Sequence, residues 1–186
     1  MSVQLQSTSL PQLIFADHGG EFATGIPTTP ANSIVGAADK VNGQMDCGSV
    51  AATAARQSTK VGPLSSRPPV YTLDACVELA AAPTAGGSIA FYWAASKDAA
   101  AATGNPAGLT GADGTYTADA EKLSKMQYIG ALTVHATDTV QIGKVGSFQP
   151  RFKYGMLVIV NNTSAAFSTT VGNNHFVATA LTVDDV

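Results

Sequence analysis

Val70-Tyr71-Thr72-Leu73-Asp74-Ala75-Cys76-Val77-Glu78-Leu79 alternates without a break. Tyr71, Leu73, Ala75, Val77 and Leu79 fall on one face of an extended chain, and Thr72, Asp74, Cys76 and Glu78 on the other. Successive side chains of a strand point to opposite sides, so this period of two predicts a strand with one buried and one wetter face. The same pattern continues downstream. Over residues 88–95, Ile89, Phe91 and Trp93 share a face and Tyr92 lies on the other. The intervening turn, Ala82-Pro83-Thr84-Ala85-Gly86-Gly87, predicts that the two strands form a β-hairpin.

Further on, Tyr128, Gly130, Leu132, Val134 and Ala136 alternate with Ile129, Ala131, Thr133 and His135, and another strand is expected over 140–147. Phe148, Pro150, Phe152 and Tyr154 form an aromatic stripe. It leads into Gly155-Met156-Leu157-Val158-Ile159-Val160, a continuous apolar run expected to be central and buried on both sides. Asn161-Asn162 opens a turn, and strands are expected over 165–170 and 175–183. Seven to nine strands at short intervals predict an all-β fold, an antiparallel β-sandwich or barrel, of which the β-sandwich is the expectation carried forward.

Upstream the texture changes. Residues 3–67 carry Pro11, Pro27, Pro30 and Pro63 among Gly19, Gly20, Gly25, Gly36, Gly43, Gly48 and Gly62, too many breakers for long helices. Short strands are expected near 13–16 and within 48–57. Arg67-Pro68-Pro69 marks the boundary, because proline fixes φ and biases the preceding residue toward extended geometry. The expected organisation is an extended N-terminal arm over 1–67, with one or two short strands, and a β-sandwich domain over 68–186. Such an arm buries little by itself and is expected to add strands to the main sheets or to a neighbour. Residues 96–120 form a long loop with Gly104-Asn105-Pro106, Gly108, Gly111 and Asp113-Gly114, a length typical of binding loops and lids. Within 118–125 a helical turn is expected, with Asp119 and Glu121 at its start, where the helix dipole favours acids.

Only 12% of residues are charged, about half the usual share, while 45% are hydrophobic. Disordered chains show the opposite balance, so this one is expected to fold and to present a weakly charged surface suited to packing. The net charge of −3 and the absence of a Lys/Arg run argue against nucleic acid as a partner. No apolar stretch is long enough for a membrane helix, and the first residues lack the pattern of a signal peptide. Synthesis in the cytosol is therefore expected, with Cys47 and Cys76 as reduced thiols; a bridge between them is the alternative.

The chemistry-bearing residues are sparse. His18, His135 and His175 show no metal-ligand spacing, and Asp17-His18-Gly19-Gly20-Glu21 reads as a turn in preference to a metal site. His135 is expected to be a solvated or interface side chain. No Gly-x-Ser-x-Gly elbow or P-loop occurs. Asp74 and Glu78 share a strand face, which a polar surface explains without glycosidase chemistry. Asn161-Asn162-Thr163 fits a glycosylation acceptor but reads as a turn. Tyr71, Phe91, Tyr92 and Trp93 offer rings to a sugar, yet the phase of Trp93 places it in the core. No catalytic, cofactor-binding or metal residue is assigned, no cofactor is expected, and the chain is expected not to be an enzyme.

Four pieces carry a resemblance: Gly-Ser-Ile-Ala-Phe-Tyr-Trp-Ala at 87–94, Gly-Asn-Pro-Ala-Gly-Leu-Thr-Gly at 104–111, Tyr-Ile-Gly-Ala-Leu at 128–132, and Phe-Gln-Pro-Arg-Phe-Lys-Tyr-Gly-Met-Leu-Val-Ile-Val-Asn at 148–161. Residues 69–186 resemble small virion structural proteins of tailed bacteriophages. The resemblance implies a jelly-roll-like sandwich in a virion component made in the host cytoplasm. It implies a capsid decoration (cement) protein, or a neck or tail component, with other virion proteins such as the major capsid protein as partners. A homo-oligomer, dimer or trimer, is expected. The alternative is a receptor- or glycan-binding module at a fibre or spike tip, using the 96–120 loop and Tyr116. A polysaccharide depolymerase using Asp74 or Glu78 is the remaining alternative.

Overall fold

The computed structural model describes residues 3–7, 11–17, 34–35, 40–48, 50–64, 70–170 and 172–185, with residues 3–7 and 182–185 as backbone only. The strands are β1 (Val3–Ser7), β2 (Gln12–Ala16), β3 (Lys40–Gln44), β4 (Ala55–Gln57), β5 (Val70–Val77), β6 (Ser88–Ser96), β7 (Gly114–Tyr116), β8 (Gln127–Thr133), β9 (Gln141–Phe148), β10 (Tyr154–Asn161) and β11 (His175–Asp185). The single helix among the described residues, α1 (Ala120–Ser124), starts at the N-cap Asp119, whose carboxylate accepts from the Lys122 N–H.

The fold is all-β, as the alternation predicts. All eleven strands join one sheet in the order β3-β2-β11-β5-β9-β8-β6-β10-β4-β7, with β1 beside β11. Strictly antiparallel pairing does not hold, because β2 and β3 run parallel from Gln12↔Lys40 to Ala16↔Gln44. A parallel pair needs a crossover connection, and residues 17–39 provide its length.

The sheet is strongly curled. β11 and β6 stand four places apart in the order, about 19 Å in a flat sheet at normal strand spacing. Yet Phe176 on β11 meets Phe91 on β6 edge to face at 5.1 Å. Phe15 on β2 likewise reaches Trp93 on β6 at 6.4 Å. The bend lies where β8 meets β9 through one pair, Gly130↔Gly146. A Cβ on Gly130 would stand 2.2 Å from the Val145 carbonyl oxygen, and one on Gly146 2.3 Å from that of Ile129, so the backbones approach closely only because both are glycine. The two halves enclose one core, which takes Leu13 and Phe15 from β2, Leu73 and Val77 from β5, Ile89 and Phe91 from β6, and Leu157 and Ile159 from β10. The far edge is tied back as well. Thr59 donates its N–H to the Gln44 carbonyl at 2.8 Å, and its Oγ1 accepts from the Gln44 N–H at 2.8 Å.

Several local expectations are corrected. β5 and β6 form no hairpin: β5 pairs with β9 and β11, and β6 with β8 and β10. Their apolar faces meet across the core instead of side by side. The chain after β5 is taken by residues 166–168, through the Leu79↔Phe167 bridge and bonds from Ala80 N–H to Ala166 O and Ser168 N–H to Glu78 O. That bridge is all that remains of the strand expected over 165–170. In β8 a bulge at Phe91/Tyr92 reverses the phase. Ile129 and Leu132 are therefore both buried, while Tyr128, expected beside Leu132, is 56% exposed. The aromatic stripe is not one strand: Phe148 ends β9, Tyr154 opens β10, and Phe152 lies at 38% exposure in the turn between them. The run Gly155 to Val160 is buried throughout, as expected. Before residue 67 the described residues hold four strands where one or two were expected. Met45, Cys47, Val50, Val61 and Leu64 join the same core cluster.

Candidate functional site

The place where polar chemistry gathers is a cleft of about 1020 Å³ at one end of β6. Its floor is Trp93. The strand phase directs this indole inward, where it packs on Phe148 at 4.9 Å with the rings tilted by 34°. Gly155 of β10, opposite Ala95, makes room for it: a Cβ there would stand 2.2 Å from Trp93 Cζ2. Trp93 is 1% exposed, and its Nε1–H has no hydrogen-bond partner among the described residues. Buried polar groups are nearly always paired, so this donor is an exception that calls for explanation.

Three connections build the walls. The first is the 96–106 stretch, contributing Lys97, Asn105 and Pro106. It has no regular secondary structure but is held firmly. Lys60 Nζ donates to the carbonyls of Asp98 (3.0 Å), Ala100 (2.5 Å) and Thr103 (2.8 Å). Desolvation holds the Lys60 pKa below the usual lysine value, and the nearby Asp98 charge opposes that shift. Gln57 grips the far end of the loop, donating Nε2 to Ala112 O at 2.7 Å and to Thr110 Oγ1. Arg56 makes a two-pronged ion pair with Asp113, Nε to Oδ1 at 2.7 Å and Nη2 to Oδ2 at 2.9 Å. Asn105 Nδ2 donates to Ala101 O at 2.7 Å and Leu109 O at 3.0 Å, which fixes the amide orientation. Asn105 Oδ1 is buried and has no partner among the described residues.

The second wall is the α1–β8 junction, with Lys125 and Gln127. Lys125 Nζ pairs with Glu121 Oε1 at 2.8 Å, which raises its pKa. The third is the 149–152 turn, with Arg151 and Phe152; Lys97 Nζ sits 5.6 Å from the Phe152 ring centroid. Among the described residues the cleft is thus lined by three cations and no carboxylate, in a chain whose net charge is −3. Asp98 lies just behind it, close to Gly104.

The residues singled out by sequence fall elsewhere. Tyr116 does not line the cleft; its hydroxyl donates to Ala107 O at 3.0 Å and braces the loop from outside. Asp74 sits mid-strand opposite Lys144, with its pKa raised by desolvation that the Lys144 charge partly offsets. Glu78 lies beyond the strand end. Its burial raises the pKa, but hydrogen bonds from Ser168, Asn173 and Thr170 win and hold it low. Cys47 and Cys76 are buried and not bridged to each other, and desolvation pushes the Cys76 thiol up to about 12. His135 is exposed and His175 buried. His18 and Glu21 lie outside the described residues; among the described residues no group of three or more His, Cys, Asp or Glu could hold a metal ion. Asn161 is a buried structural knot, donating to Val50 O, Ala51 O and Ala165 O and accepting from the Thr163 N–H and hydroxyl.

Sequence reasoning flagged the 96–120 loop but missed Lys97, Lys125 and Arg151 as a set. They are spread over three connections, and only Phe152 in the aromatic stripe hinted at the third. Comparison with family models, with curated proteins and with solved structures finds no match to this chain.

Proposed function

We propose that this chain is a non-enzymatic virion structural protein, a capsid decoration (cement) protein that links neighbouring subunits by burial and by strand addition. One observation carries this function. β11 pairs with β5 only from His175 to Leu181. Beyond that point, Thr182 to Asp185 pair with β1 alone, through Gln6↔Thr182, Leu5↔Val183, Gln4↔Asp184 and Val3↔Asp185. An isolated two-stranded ribbon is marginal in water. Among the described residues no strand pairs with the outer edge of β1 or the opposite edge of residues 182–185. Unpaired edges are templates for a strand from another chain, and many copies on a symmetric shell raise the effective concentration. The low charge supports such packing, and the resemblance at 87–94 and 148–161 supports the particle context. The finer architecture that goes with it is a jelly-roll-like sandwich.

The test is quantitative mass spectrometry of purified particles from cells expressing the full chain or a chain lacking residues 1–9. Hundreds of copies per particle are expected for the full chain, with loss of incorporation and retained folding for the shortened one. Absence of the full chain from particles overturns the proposal. The shortened chain is used because deleting all of 1–67 would remove Leu13, Phe15 and Val61 from the core.

A second function, a receptor- or glycan-binding module at a fibre or spike tip, is favoured by the cationic cleft with its unpaired buried donor. About a dozen copies per particle, the number expected for a neck, tail or tip position, would favour it.

A further inference from the structure

We infer that the cleft between the 96–106 loop, the α1–β8 junction and the 149–152 turn binds a carboxylated oligosaccharide. The inference deepens the glycan-binding alternative, but its test uses the isolated protein and is independent of copy number in a particle. The charge comes first. Lys97, Lys125 and Arg151 line the cleft without a lining carboxylate, against the negative balance of the whole chain. Among the described residues only Lys125 of the three has an acidic partner at hydrogen-bond distance, the exposed Glu121. That concentration of positive charge favours an anion.

The unpaired polar atoms narrow the class. Trp93 Nε1–H can only donate, and Asn105 Oδ1 can only accept. The Asn105 amide cannot turn to relieve this, because its Nδ2 is committed to Ala101 O and Leu109 O. A simple carboxylate offers acceptors to the cations but no donor to Asn105, and inorganic phosphate, whose P–OH can donate, has no apolar face for Phe152. A sugar hydroxyl is donor and acceptor at once, the group complementary to both of these residues, which line the cleft. A ring bearing hydroxyls and a carboxylate therefore meets every demand of the lining.

Shape agrees. Phe152, 38% exposed at the rim, offers an aromatic face to the apolar side of a sugar ring. The volume of about 1020 Å³ lies at the top of the range for ligand sites and has room for more than one ring. The walls are set before a ligand arrives, since Lys60, Gln57 and Asn105 already order the loop. Preorganised walls lower the entropy lost on binding.

Titration calorimetry of the full chain tests this with tetragalacturonate, its methyl ester and inorganic phosphate. Saturable binding of tetragalacturonate is expected, weakened by added salt and by Lys97→Gln or Arg151→Gln by about tenfold each. The methyl ester, which keeps the hydroxyls and loses the charge, should bind far more weakly, and phosphate not measurably. Trp93→Phe removes the buried N–H and should also weaken binding; circular dichroism shows whether that variant folds. The surface variants remain decisive if it does not. No binding of tetragalacturonate overturns the inference. So does equal affinity for the ester with no effect of Arg151→Gln, or equal affinity for phosphate, which marks a general anion site.

Discussion

Phe15→Ala asks whether the N-terminal region is an arm or part of the core. Phe15 is fully buried on β2, its ring 6.4 Å from Trp93 and close beneath Gly43, where a Cβ would fall 2.7 Å from Phe15 Cδ1. β2 is flanked on both sides, by β3 and by β11, so neither strand can slide in to fill the space. Truncating a phenylalanine in such a place costs about 3–5 kcal/mol through lost transfer energy and the cavity left behind. The lost edge-to-face contact lies within that range or adds up to about 1 kcal/mol. Domains are stable by about 5–15 kcal/mol, so most of the stability is at stake. For a chain of this size, each kcal/mol moves the melting temperature by about 2–4 °C, giving a drop of about 6–20 °C. Urea denaturation followed by tryptophan fluorescence measures it directly, because the only tryptophan, Trp93, touches the mutated ring. A loss below about 1 kcal/mol with an unchanged slope would refute the placement of β2 in the core.

His175 should make stability depend on pH. Its Nδ1 lies 2.9 Å from Gly172 O and its Nε2 accepts the Ile34 N–H at 3.3 Å, a pairing that needs the neutral ring. Desolvation lowers its pKa in the fold, opposed by the Gly172 hydrogen bond. The unfolded chain then binds the proton more readily. Stability should be full above pH about 6.5 and fall below it toward the folded pKa, by up to about 1.4 kcal/mol per pH unit. Urea midpoints that stay constant between pH 7.5 and 5 would contradict this. At Asn161, replacement by Ala removes its bonds to three carbonyls and leaves the buried Thr163 N–H without an acceptor, while Val50 O, Ala51 O and Ala165 O keep the Phe167 N–H, the Ala54 N–H and the Thr163 hydroxyl; a loss of about 1–3 kcal/mol is expected in chemical denaturation. Asn161→Asp should be worse, since it turns an acceptor toward those same carbonyls; a milder effect than Ala would show that the knot is misassigned.

The legible part of the chain was the part with period two. Tyr71 to Val77, Ile89 to Trp93 and the apolar run of β10 are strands because their own side chains demand a buried face. Asp119 and Glu121 announced α1, since the helix dipole favours acids within the first turn. β8 went out of phase because a bulge inserts one residue, which alternation cannot register in advance. β2 was foreseen as a strand but not as a core element. Its five residues are all buried, so no polar face marks them.

Fold class was determined by sequence alone, because a β-strand's burial pattern is written in neighbouring residues. The partners of each strand were decided only in three dimensions. β5 passed over β6, its neighbour in the chain, to pair with β11 and β9, because the curled sheet buries both apolar faces against each other. The cleft is of the same kind. Lys97, Lys125 and Arg151 sit in three separate connections, and only the bend at Gly130 and Gly146, together with the ties from Lys60, Gln57 and Asn105, brings those connections around one indole.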